Sequence, residues 1–173
     1  MKPAGSPPKK DDWVVGAASA RDLAPLADLM AASPLLQRYG TSRAAAIAAL
    51  DAGHRAGDLI LVGRHRGRPA GGLAWVIPSR ILTGAAYLRL LLVHGERQRT
   101  GLGSRLLVEA EARARRWANH LVLLVTTDNV DARRFYERHG YRHVGDLPGF
   151  AVPALDEALY QKALRPPGTR LPV

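Results

Sequence analysis

The chain contains no cysteine. That absence excludes a disulfide framework, a thiolate zinc site, an iron–sulfur cluster and a cysteine nucleophile, and it fits a reducing compartment. No uncharged apolar run approaches the roughly 20 residues that a helix needs to cross a bilayer. Residues 1–12 hold three lysines, three prolines and no apolar stretch, so they do not read as a secretory signal. These absences predict a cytoplasmic protein with no membrane segment. Acidic residues are the scarcer charge, 15 against 25 basic ones, for a net +10. The first twelve residues together with Lys162, Arg165 and Arg170 account for part of it, and the body keeps most of the surplus. Such a balance favours an anionic partner: nucleic acid, an acidic membrane surface or a phosphate-bearing small molecule. Charge alone does not choose among them.

At 173 residues and 47% apolar content, the chain suits one compact domain that folds without staples. The Pro-rich ends, 1–11 and 165–173, read as flexible tails around a single domain at 12–164. Trp13–Ala17 is a short β-like run. A helix opens near Asp22, carries Leu23, Leu26, Leu29 and Met30 at helical spacing, and stops before Ser33-Pro34. Leu35–Gly40 reads as a loop. A second helix starts at Thr41 or Ser42, turns Ala44, Ile47, Ala48 and Leu50 inward and ends by Gly57.

Leu59–Val62 and Ala70–Val76 are strand candidates joined by the basic turn Arg64–Pro69, as in a hairpin. In the run Ala85–Val93, Tyr87, Arg89, Leu91 and Val93 share one face and Leu88, Leu90 and Leu92 the other. A helix follows Gly101 and extends to about Ala118. Leu121–Val125 is a wholly apolar strand, Val130–His139 a helix, Tyr141–Val144 a strand and Glu157–Leu164 the last strand. This interleaving predicts an α/β or α+β fold with one sheet covered on both faces.

The stretch Gln98-Arg99-Thr100-Gly101-Leu102-Gly103-Ser104 joins a strand to a helix. Glycines there let the chain turn tightly, so that successive N–H groups point at one spot. With the helix dipole they form an anion site suited to a phosphate. Other phosphate loops fit worse: Leu106 stands where a dinucleotide fingerprint needs its third glycine, and a Walker Gly-Lys-Ser/Thr is absent. So is Gly-x-Ser-x-Gly, which argues against a hydrolase elbow. His139 and His143 are four apart, but Gly140 interrupts them at a helix-to-strand turn and no carboxylate cluster completes a site, so no metal is expected.

A second constellation runs from Asn129 through Ala132, Phe135, Tyr136 and Gly140 to Tyr141. Asn129 suits an N-cap and Gly140 a C′ position. Phe135 and Tyr136 point about 100° apart on a helix, so one can enter the core while the other faces a cleft.

Together the two constellations resemble the GNAT superfamily of acyl-CoA-dependent N-acetyltransferases, over most of residues 13–164. The resemblance implies a mixed, largely antiparallel sheet splayed between its fourth and fifth strands, with helices on both faces. It implies acetyl-CoA as co-substrate, its pyrophosphate held by backbone N–H groups from Arg99 to Ser104, in the loop that opens at Gln98. Leu91 and Val93 would pair with the pantetheine arm, Asn129 would contact the cofactor, and Tyr136 would protonate the departing thiolate. The family reaction is direct transfer to an amine without a covalent enzyme intermediate, so no nucleophilic cysteine is required. Many members carry Val-x-Pro before the loop, where this chain reads Val93-His94-Gly95.

An attacking amine must be neutral, so a general base is expected. Asp146, Asp156 and Glu157 flank the loop between the last two strands, and Glu157 is the candidate base. Gln37, Arg38 and Tyr39 are candidates for the acceptor wall, and the acceptor itself is not legible. Two rivals stand beside the enzyme reading. One is a non-catalytic CoA-binding sensor or assembly module. The other, ranked lower, is a polyanion-binding protein using Arg97, Arg99, Arg105, Arg113, Arg115 and Arg116. A homodimer would suit the resembling family, although no segment demands it.

Overall fold

The computed structural model describes residues 13–65, 68–78 and 83–166. In chain order its elements are β1 (Trp13–Ala17), α1 (Ala20–Ala31), α2 (Pro34–Arg38), α3 (Arg43–Arg55), β2 (Leu59–His65), β3 (Arg68–Pro78) and β4 (Ala85–Val93). There follow a 3-10 turn (Gly95–Arg97), α4 (Leu102–Ala114), β5 (His120–Thr126), α5 (Val130–Arg138), β6 (Arg142–Val152) and β7 (Leu155–Ala163). The seven strands form one open, mostly antiparallel sheet in the order β1-β2-β3-β4-β5-β7-β6, with β4 and β5 parallel. Registered pairs between β4 and β5 run from Ala85↔His120 to Leu88↔Leu123, whereas all seven residues of β5 pair with β7. The splay between the fourth and fifth strands therefore begins at Arg89.

The described residues gather into two compact units: those up to Ala74 with Leu91–Glu109, and Trp75–Leu90 with those from Ala110 onward. In the first unit α1 opens at Ser19, where the Asp22 carboxylate accepts hydrogen bonds from the Ser19 N–H at 2.7 Å and hydroxyl at 2.8 Å. The same carboxylate pairs with Arg64 on β2 at 2.6 Å. Leu23, Leu26, Ala27 and Met30 on α1 and Ala46 and Leu50 on α3 are buried. The expected inward set on α3 is thus shifted, and Ala44 and Ala48 are exposed. Alanine carries too little apolar surface to mark a face by spacing alone.

Leu102, the first residue of α4, is fully buried in a socket lined by glycine. A methyl group on Gly63 would meet its side chain at 2.6 Å. One on Gly71 would meet it at 2.5 Å and the Trp13 ring at 2.4 Å. On Gly72 it would strike the Leu92 carbonyl at 2.5 Å. The His94 N–H donates to the Gly71 carbonyl at 2.8 Å, which carries the β3–β4 pairing past the end of β4.

Three local expectations need correction. Leu35–Gly40 is not all loop, because Ser33 caps α2 through a bond from the Leu36 N–H, and Pro34 sits at the first helical position, where its missing N–H costs nothing. The strand expected at Tyr141–Val144 runs on to Val152 as β6. Register shifts between His143 and Gly145 and between Leu147 and Val152 break the alternation that would have announced it. The helix after Gly101 ends at Ala114, short of Ala118. The tip of the expected Arg64–Pro69 turn, the N-terminal tail and most of the C-terminal tail lie outside the described residues.

Two predictions follow from the first unit. Gly71→Ala should destabilise the protein by about 1–3 kcal/mol in denaturant titration, since Trp13 and Leu102 must both give way. Burial raises the Asp22 carboxyl, but the Ser19 donors and the Arg64 guanidinium outweigh it and hold the group below its usual range. A depressed folded-state pKa stabilises above the unfolded value, and that stability is lost as pH falls through the folded one. Asp22→Asn should therefore cost about 1–2 kcal/mol at neutral pH, and the gap from wild type should narrow on acidification.

Candidate active site

The loop before α4 lies in the first unit. His94 Nδ1 accepts from the Glu96 N–H at 3.3 Å and so caps the 3-10 turn. Gly95 thereby enters the loop through an ordered turn. Gln98 ends that turn in extended conformation. The chain then reverses at Arg99 with φ 61° and at Gly101 with φ 83°. Left-handed residues alternating with right-handed ones aim their N–H groups inward, forming an anion-binding nest. No carbonyl of the described residues accepts from the N–H groups of Arg99, Gly101, Leu102 or Gly103, and the helical ladder begins with Arg105 donating to Gly101 at 3.1 Å. The Thr100 hydroxyl donates to the Arg97 carbonyl at 2.7 Å and braces the turn. Unspent donors, positive backbone curvature and a helix N-terminus together fit the pyrophosphate of CoA. Leu91 and Val93 are half-buried, beyond the last β4 residue registered with β5.

Also in the first unit, a cavity of about 310 Å³ is bounded by α1 residues including Pro25, Leu26 and Leu29 and by Gly71 and His94. Gln37 and Arg38 end α2 and Tyr39 is its C-cap, so the expected acceptor-wall residues sit on a short helix rather than in a loop. Gln37 is engaged locally, its amide donating to the Ala31 carbonyl at 2.9 Å.

The second unit holds α5. Asn129 is its N-cap, with Oδ1 accepting from the Ala132 N–H at 3.2 Å. That bond uses the amide oxygen and leaves the side-chain N–H groups as its donors. Of the adjacent aromatics, Tyr136 is the buried one, at 7% exposure, and Phe135 is half-buried. Tyr136 lies edge-on to Phe135 and to Tyr141, with ring centroids 5.3 and 5.5 Å away. Burial, and then the neighbouring Tyr87 phenol, push its hydroxyl far above the ordinary phenol range. A group so placed stays protonated at neutral pH, as a proton donor must.

The position of α5 is set by polar ties. The Tyr160 hydroxyl on β7 donates to Glu137 at 2.9 Å and accepts from Arg133 at 3.1 Å, while Arg133 also donates to the Thr127 carbonyl at 3.2 Å. Behind Tyr141, Lys162 pairs with buried Glu111 at 2.6 Å and lies 5.5 Å over the Tyr141 ring. Glu157 is 3% exposed on β7, opposite Thr126 of β5 and Leu147 of β6. The other two carboxylates have local duties: Asp146 pairs with His143 at 2.8 Å, and Asp156 accepts from the Gly149 N–H at 3.0 Å. The strand alternation put Tyr87 and Arg89 on one face of β4 but carried no signal of a role for either. Among the described residues, no group of three or more His, Asp or Glu could hold a metal, and no helix is long and apolar enough to cross a membrane.

A sequence profile described as the acetyltransferase (GNAT) family matches residues 11–141. The chain belongs to the GNAT family of acetyltransferases. It is 36% identical over 99 residues to blasticidin-S acetyltransferase of Streptomyces morookaense, a stretch covering 57% of this chain and 69% of that protein. Among solved structures it is similar to YncA of Salmonella typhimurium, assigned as an acetyltransferase and determined with its cofactor acetyl-CoA. The TM-score is 0.75 at 20% identity, over 91% of this chain and 97% of the other. An N-acetyltransferase from Staphylococcus aureus Mu50 gives a TM-score of 0.73 at 21% identity, over 88% of this chain and 99% of the other. These two likenesses establish the GNAT fold. The family match establishes this chain as a GNAT acetyltransferase that takes acetyl groups from acetyl-CoA.

The left-handed turn at Gly101 yields a prediction. Gly101→Val puts a β-branched residue at φ 83° and disturbs the N–H nest. Affinity for acetyl-CoA measured by calorimetry should fall about tenfold or more, and ATP should not displace acetyl-CoA from the wild-type protein.

Proposed function

We propose that the protein transfers an acetyl group from acetyl-CoA directly to the primary amine of a small-molecule or peptide acceptor, with no covalent enzyme intermediate. The observation that carries this reading is a buried, neutral Tyr136 in a chain that also keeps a nest of unspent N–H groups before α4. The backbone N–H groups from Arg99 to Ser104 hold the pyrophosphate, with Gln98 at the entry, and the β4 backbone at Leu91 and Val93 pairs with the pantetheine arm. Asn129 contributes its side-chain N–H groups to the cofactor. Acetyl-CoA supplies an activated thioester.

The amine lone pair attacks the thioester carbonyl, the new C–N bond forms, and the C–S bond breaks as the electrons return to sulfur. Tyr136 gives its phenolic proton to the leaving thiolate. Before attack the acceptor's ammonium gives one proton to Glu157, whose carboxylate is the base, and the second N–H proton, released as the amide forms, returns to the Tyr136 phenolate. Gln37, Arg38 and Tyr39 form part of the acceptor wall. That a 36% identical relative is named for one compound, blasticidin S, supports a small-molecule acceptor.

Tyr136→Phe keeps the ring packing and removes the proton. Its kcat should drop by roughly 10²-fold, with the KM for acetyl-CoA changed by less than about threefold, in a thiol-release assay. An unchanged kcat would remove Tyr136 from the chemistry. Saturable binding of acetyl-CoA without turnover on a broad amine panel would instead favour a CoA-binding sensor.

A further inference from the structure

The cavity of about 310 Å³ in the first unit is bounded by two parts of the chain. Pro25, Leu29 and Ala32 stand at helical spacing on α1 and its C-cap, so they share one face, with Leu26 and Asp28 beside them. The other part is Gly71 of β3 with His94, joined by the 2.8 Å bond from the His94 N–H to the Gly71 carbonyl. The volume lies at the lower end for small-molecule pockets, which are mostly apolar with a few polar groups that fix orientation.

Two of the lining side chains are polar. His94 spends Nδ1 on the Glu96 N–H at 3.3 Å, which leaves Nε2 as the ring atom for a ligand. Asp28 gives Oδ1 to Arg43 Nε at 2.5 Å, and its second oxygen has no partner among the described residues. Both members of that pair are more than half exposed, so the pairing is weak and does not commit the carboxylate. No lysine or arginine lines the cavity among the described residues. An apolar bed with a carboxylate at its side suits a cation with an apolar body and repels an anion. That sign runs against the protein's net +10, so the general surface charge does not supply it. His94 directly follows Val93, the last residue of β4, so the cavity adjoins the strand end that the proposed function gives to the pantetheine arm.

We propose that this cavity is an acceptor subsite for a small amine that carries a second cationic group and no carboxylate. The apolar body of the acceptor lies along Pro25, Leu29 and Ala32, and Asp28 receives the second cation. The subsite rests on the reading of the protein as an amine acetyltransferase and narrows its acceptors to diamines and their like. Arg43 competes with the acceptor for Asp28, so its removal strengthens the hold on the second cation.

The experiment uses three acceptors that share one ring and differ at the far end: p-methylbenzylamine, p-xylylenediamine and p-(aminomethyl)benzoate. Wild type should favour the diamine over the methyl compound by about fivefold or more in kcat/KM and place the carboxylate last. Asp28→Asn should bring the diamine down to the methyl compound, whereas Arg43→Met should widen the diamine's lead by about twofold or more. A merely structural pair would leave both ratios where they are. Ala32→Phe fills the cavity and should move the ratio of p-methylbenzylamine to methylamine about tenfold towards methylamine. Thermal unfolding near the wild-type Tm shows that each variant is folded. Indifference of the wild type to the far-end charge, or a diamine preference that survives Asp28→Asn, overturns the subsite and leaves acetyl transfer standing. A raised KM for acetyl-CoA in Ala32→Phe with the acceptor ratio unmoved gives the cavity to the cofactor and overturns the subsite as well. Acetylation of no amine by a folded protein that binds acetyl-CoA overturns the amine-transfer reading, and the subsite falls with it.

Discussion

The seating of Leu102 governs the first unit. A helix N-terminus can serve as an anion site only if its N–H groups are held still, and here the first helical residue is locked between Gly63, Gly71 and Trp13. Full burial of one leucine is worth about 1.5–3 kcal/mol, enough to make the start of α4 among the least yielding points of the loop region. The three glycines on β2 and β3 are therefore a matter of space. A side chain at Gly63 or Gly71 would lift Leu102, and the turn that precedes it would move as well. The left-handed conformation at Arg99, a non-glycine residue, adds backbone cost, and this anchored helix start is what sustains it.

In the second unit the corresponding problem is a phenol that must stay neutral and in place. Tyr136 is wedged between Phe135 and Tyr141, and α5 is fastened to β7 through Arg133, Tyr160 and Glu137. Beneath Tyr141, Glu111 keeps one oxygen on Lys162 while its other oxygen and the Tyr141 hydroxyl have no hydrogen-bond partner among the described residues. Burial and the Glu111 charge together push the Tyr141 hydroxyl far up, so the hydroxyls of both these edge-on rings remain uncharged. A neutral, apolar surround raises the cost of ionising Tyr136 and suits it to give a proton and regain it.

Much of this was legible in the chain. The alternation at Ala85–Val93 marks β4 because its apolar residues are large and regularly spaced, and the wholly apolar Leu121–Val125 marks the interior strand β5. The loop around Gly101 could be read because glycine carries conformational information that other residues do not. What escaped has physical causes. α3 is alanine-rich, so its buried face could not be told from its exposed one. β6 twists through two register shifts and exposes Val144 and Phe150, so its pattern is that of a loop. α2 depends on a single capping hydroxyl before a proline. The pairing of Arg89 with Trp75 joins residues on different strands, and spacing along one chain does not announce it.

The two halves of the chemistry also draw on different parts of the chain. In the proposed reading, cofactor recognition falls to backbone N–H groups and glycines, whose action depends on chain path and tolerates wide variation in side chains. Proteins about 20% identical to this chain share its fold. In the proposed reading, acceptor recognition falls to side chains on short elements such as α2, where one substitution alters charge without altering path. Arg89 is an exposed cation whose guanidinium lies 4.6 Å over the Trp75 ring, at the point where β4 leaves β5.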